Sequence, residues 1–217
     1  MRPGPGILWA FFTEYNLRIW PMQLVAYALC IVVVVLALRK ARYSDQVIAA
    51  ILAFFWLWLG LMLWLPGSAI FLPAYVFGAL SLIQGGLFLL GVARPRVSYR
   101  IGADASSRLG LALIVYAMVF YPLVGYAVGH IYPRSLTIGV FPCATAIFTL
   151  GMFLCTEGKV PRPLLIAPLV VALYGIVAVS GGVVEDIGLI IAGIVTPLML
   201  VYREKRPTPT TTLRPAA

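Results

Sequence analysis

The chain has 217 residues, 62% of them hydrophobic and 11% charged, with sixteen Lys and Arg against seven Asp and Glu. A mean hydropathy of +1.01 lies well outside globular values and excludes a water-soluble domain. The net charge of +9 would suggest nucleic acid in a soluble protein, but thirteen of the sixteen basic residues fall on one side of the apolar spans, so no nucleic acid is expected and the lipid bilayer is the expected partner.

The N-terminal segment, residues 1–19, holds Pro3, Pro5, Leu8, Trp9, Phe11 and Phe12. A short aromatic stretch of this kind suits the outer membrane interface. It lacks the charged start, apolar run and small-residue site of a cleavable signal, so the first span is expected to direct its own insertion. Seven apolar spans are predicted over residues 20–202: about Trp20–Leu38, Val47–Leu65, Ile70–Val92, Leu109–Gly129, Leu136–Cys155, Pro161–Ser180 and Ile187–Tyr202. Continuous apolar runs without alternation exclude a β-barrel. The expected fold is therefore all-α, a single bundle of seven transmembrane helices. The tail, residues 203–217, is rich in Thr and Pro and is predicted to be disordered.

Charge sets the expected orientation. Arg39, Lys40 and Arg42, then Arg94, Arg96, Arg100 and Arg108, then Lys159 and Arg162, and finally Arg203, Lys205, Arg206 and Arg214 alternate with loops that are acidic or nearly uncharged. The positive-inside rule puts this basic side, with the C-terminus, in the cytoplasm and the N-terminus outside.

The remaining ionisable groups gather at the opposite end. They are Glu14 and Arg18 before span one, His130 and Arg134 after span four, and Glu185 and Asp186 before span seven, with Tyr15, Asn16, Tyr121 and Tyr132 at similar depth. They read either as a shared ligand site or as separate helix caps, since carboxylates suit a helix start. If the site is shared, His130 should come within hydrogen-bond reach of Glu185, Asp186 or Glu14. Span five is the other unusual element. At 100° per residue, Pro142, Cys143, Thr145 and Thr149 share its small, polar half, while Val140, Phe141, Ala144, Ile147 and Phe148 form a bulky half expected to face lipid. Pro142 is expected to interrupt this helix about a third of the way in and free a carbonyl. The three cysteines show no disulfide or metal-site spacing. No nucleophile–base pair is readable, so no catalytic residue, cofactor or metal is assigned.

Three stretches carry a resemblance: Glu14-Tyr15-Asn16 through Trp20-Pro21, Gly129-His130-Ile131-Tyr132-Pro133 running into Gly139–Gly151, and Glu185-Asp186-Ile187-Gly188-Leu189. On these the chain resembles a family of bacterial seven-helix membrane proteins known only as domain of unknown function 6064. The family pattern has a second Pro after the Cys, where this chain has Ala144. The resemblance implies a multi-pass protein of the bacterial cytoplasmic (inner) membrane and supplies no activity. The leading expectation is binding or passage of a small solute or ion through an outward-opening polar recess. It would be lined by Glu14, Asn16, His130, Tyr132, Arg134, Pro142, Cys143, Thr145, Thr149, Glu185 and Asp186. An accessory subunit of a larger membrane complex is the main alternative, and a membrane-embedded enzyme the third. The topology has a direct test: single cysteines at Gly182 and Ser106 should be labelled from outside and from inside respectively, and labelling of both from one side ends the seven-span reading.

Overall fold

A computed structural model describes residues 5–67, 69 and 73–205. The helices are α1 (Pro5–Arg18), α2 (Met22–Arg39), α3 (Ser44–Gly67), α4 (Ala74–Ala93), α5 (Ala105–Ala127), α6 (Pro142–Leu154), α7 (Pro163–Ser180) and α8 (Val184–Lys205). A short antiparallel ribbon, β1 (Ser98–Tyr99) with β2 (Thr156–Glu157), ties the two loops that flank α5 and α6 at the Arg-rich end. Among the described residues, α2, α3, α4, α5, α7 and α8 are long and apolar enough to cross a membrane, the pattern of a multi-pass membrane protein.

Three boundaries differ from the sequence reading. The expected start of span three, Ile70, lies outside the described residues, and α4 is helical from Ala74. The last helix is longer than its apolar run, because Arg203–Lys205 continue it. There the Arg203 guanidinium donates to the carbonyls of Thr156 (2.8 Å) and Gly158 (2.6 Å). The rest of the expected disordered tail, residues 206–217, lies outside the described residues. Ser106 is buried with its hydroxyl on the Leu154 carbonyl, so the exposed Ala103 replaces it as the inside labelling position.

The largest difference is span five. Its helix covers only the thirteen residues Pro142–Leu154, about 20 Å, shorter than the ~30 Å hydrocarbon layer. Every one of them except Cys143 is buried. The bulky half expected to meet lipid is therefore inside: Val140, Phe141, Ala144, Ile147 and Phe148 are all core. The reason is that α3, α5, α7 and α8 all pack against α6 and leave it no lipid side. Small residues permit this enclosure. A Cβ on Gly110 of α5 would come within 2.6 Å of the Gly151 carbonyl of α6, so the two backbones touch. Pro142 does not kink a helix but begins one, where its missing N–H has no partner to lose.

The stretch before α6 is irregular yet buried at Leu136, Ile138, Val140 and Phe141. Irregular backbone away from water must find hydrogen bonds outside regular structure. Here side chains supply them. The Thr145 hydroxyl accepts from Gly139 N–H (2.8 Å) and donates to the Phe141 carbonyl (2.6 Å). Tyr15 of α1 donates to the Val140 carbonyl (3.1 Å), and Trp58 of α3 donates to Tyr15 (2.9 Å). Asn16 donates to the carbonyls of Pro133 (2.7 Å) and Ser135 (2.8 Å), while Gln23 of α2 donates to both Asn16 oxygens. Gly139 has φ of +80°, and a Cβ there would meet Ala26 and Phe55. The turn requires glycine on both counts.

Thr145→Val keeps the shape of the side chain and leaves the Gly139 N–H unpaired. It should lower stability by about 1–3 kcal/mol in thermal unfolding of the purified protein, with Thr145→Ser restoring most of the loss.

Candidate functional site

The end of the bundle opposite the arginines is built by two helix C-termini of the same kind. At the end of α5, Gly129 takes φ of +93°, its N–H bonds the Tyr126 carbonyl, and His130 N–H reaches back to Gly125. At the end of α7, Gly182 takes φ of +99°, its N–H bonds Val179, and Val183 N–H reaches Ala178. Both are Schellman closures, in which a left-handed glycine lets the last carbonyls be satisfied while the chain turns back. One closure delivers His130. The other delivers the short 3₁₀ turn Val184–Asp186 that opens α8.

These two turns meet. His130 Nδ1 lies 2.7 Å from Glu185 Oε1. Glu185 is 1% exposed and Asp186 is fully buried. Both carboxyls lie in the first turn that opens α8, where the helix dipole favours them, with no side-chain hydrogen bond capping that turn. Asp186 instead accepts from the Tyr121 hydroxyl (2.6 Å), and the Cys143 side chain interacts with it from the start of α6. The Tyr116 hydroxyl donates to the Glu185 carbonyl (2.8 Å). On the outer edge, the Trp9 ring covers the imidazole at 4.4 Å between centroids.

Tyr121 was expected at this depth but not as a lining residue, and Tyr116 was not expected; a break in helical register brings both in. In an α-helix residues five apart point about 140° away from each other. A π-helical turn, Tyr116–Phe120, lies between them and ends with Tyr121 N–H on the Tyr116 carbonyl. An i to i+5 turn brings the two side chains back toward one face. Pro122 is the sequence cause: its ring conflicts with the carbonyl four residues earlier, and a wider turn relieves that. Packing completes the site. A Cβ on Gly125 would lie 3.2 Å from Glu185 Oε1, and one on Gly188 would collide with the Tyr116 ring. The carboxyls are therefore closely surrounded, yet Glu185 Oε2 and Asp186 Oδ2 have no hydrogen-bond partner among the described residues. A buried carboxyl oxygen without a partner calls for an explanation, such as a bound proton or ion.

The expected residues thus divide. His130, Cys143, Glu185 and Asp186 come together. Asn16, Thr145 and Thr149 bond the irregular segment and α6, Thr149 by donating to the Thr145 carbonyl and accepting from Trp56, while Pro142 starts that helix. Glu14 is exposed in an ion pair with Arg18 (2.7 Å) and does not approach His130, and Tyr132 packs on Trp20. Glu14 and Arg134 line an open recess of about 500 Å³ together with Trp9 and Thr13, so Trp9 separates this recess from His130.

The sequence matches the profile of a family described as "Family of unknown function (DUF6064)" over residues 6–210. No curated protein and no solved structure matches. Tyr121→Phe removes the donor to buried Asp186 and should cost about 1–3 kcal/mol in thermal unfolding. The same change at Tyr126, which is exposed, should cost less than about 0.5 kcal/mol.

Proposed function

The chain belongs to the DUF6064 family, and because that family has no assigned activity we propose from the site itself that this membrane protein binds protons at the His130–Glu185–Asp186 cluster and couples them to a small solute in the neighbouring recess. The reading includes seven crossings, with the irregular segment and α6 together making the fifth. It also places the His130 end outside, supported by the bias of Lys and Arg to the other end.

One observation carries it: of two adjacent buried carboxyls only Glu185 meets an imidazole, Asp186 meets the Tyr121 hydroxyl, and each keeps one oxygen without a partner among the described residues. With all three groups ionised, one negative charge is uncompensated away from water, at a cost of several kcal/mol. A bound cation removes that cost. Gly125 lets α5 approach the Glu185 carboxyl closely, and a proton is the smallest cation that meets the demand. His130 lies at the cluster's edge beneath Trp9, the residue that stands between the buried carboxyls and the recess. Ionisable groups placed this way in membrane proteins are typical of proton relays.

Infrared titration of the purified protein between about pH 8 and about pH 5 tests the proposal. A protonated-carboxyl band should grow as pH falls, persist in Glu14→Gln, and be lost in folded Glu185→Gln/Asp186→Asn. An unchanged band in the wild type, or the same band in the double variant, would sink the proton site.

A further inference from the structure

We infer that the Arg-rich end carries a binding site for an anionic phospholipid, with the phosphate held by Arg94 and Arg96 and an acyl chain in the groove between α4 and α7. This inference is independent of the proton site. The groove holds about 510 Å³. Its walls include Leu87, Phe88 and Gly91 of α4, Ala49 of α3 and Leu164 of α7. Leu90, also in the lining, is 65% exposed on an apolar helix, so the groove opens sideways where lipid would lie.

The rim chooses the ligand's charge. α4 ends at Ala93, and Arg94 and Arg96 follow at the groove mouth, both exposed and in no ion pair among the described residues. Asp45 is also at the mouth, but its carboxylate is occupied. It is bonded by Lys40 at 2.8 and 2.9 Å and by Tyr99 N–H at 2.8 Å. Arg100 is likewise occupied by Glu157 (3.0 Å). Two free guanidiniums therefore stand over an apolar groove. Guanidinium matches phosphate oxygens in pairs, and basic pockets between membrane helices suit acidic headgroups. A water-soluble phosphate would use the rim and leave the walls empty. A zwitterionic lipid would fill the walls and bring its own cation to the arginines.

Gly91 supplies a way to block the groove. A Cβ there would sit 3.8 Å from the Ala49 Cβ, an ordinary contact, so a larger side chain enters the groove without pushing backbone apart. The test is native mass spectrometry of the delipidated full-length protein titrated with phosphatidylglycerol, phosphatidylcholine or glycerol 3-phosphate. Phosphatidylglycerol should bind about tenfold or more tightly than phosphatidylcholine, and Arg94→Gln/Arg96→Gln should weaken it by roughly tenfold or more. Gly91→Leu, folded by circular dichroism, should weaken it as well, and Arg100→Gln should not. Equal binding of the two lipids overturns the inference, as does indifference to both the arginine and the Gly91 variants. Displacement of phosphatidylglycerol by equimolar glycerol 3-phosphate also overturns it, assigning the rim to soluble phosphates instead.

Discussion

The Thr145 hydroxyl, bridging Gly139 N–H and the Phe141 carbonyl, is the contact on which the interior depends. A bundle of apolar helices normally leaves no backbone group to satisfy beyond its helix ends. This one encloses an irregular stretch, and each polar backbone atom there demands a partner that apolar neighbours cannot give. Tyr15 and Asn16 answer the same demand from α1, and Gln23 of α2 holds Asn16 in place. The polar residues of span five are thus mainly structural. Their presence allows the chain to turn inside the bundle and begin α6 where Cys143 meets Asp186.

The site follows from how helices end and widen. Left-handed Gly129 and Gly182 turn the chain back at the same end, which sets His130 against Glu185. The π turn in α5 then rotates Tyr121 onto Asp186. A second π turn, Leu59–Trp64 in α3, precedes Pro66 in the same way. In both helices a proline near the His130 end widens the preceding turn. Conformational detail at helix termini, rather than any catalytic motif, assembles the cluster.

Much of this was legible in the sequence, and the failures have physical causes. Helix positions followed from apolar length, which depends on composition alone. The meeting of His130 and Glu185 was legible because three polar segments lay at one end of an otherwise apolar chain. The enclosure of α6 was not. A polar half and a bulky half normally imply a lipid side, but Phe148 and Ile147 face other helices, and only the packing of α3, α5, α7 and α8 decides that. Tyr121 was legible as a polar group at that depth, but its contact with Asp186 was not, because a π turn sets the direction of its side chain. Pro142 was placed within a helix because the apolar run continued upstream of it, through residues whose buried backbone is not helical.

The enclosure of α6 also bears on how the protein is made. Synthesis runs from the N-terminus, so α6 emerges before α7 and α8, which form two of its walls. At that moment a thirteen-residue helix, too short to cross the bilayer by itself, has its α3 and α5 contacts within reach but lacks the walls made by α7 and α8. It cannot settle stably among lipids, and its lodging place is not yet complete. The central element must therefore wait, beside the insertion machinery or at the bilayer surface, until the chain behind it arrives. The order of assembly departs from the order of translation, with the middle of the protein seated last.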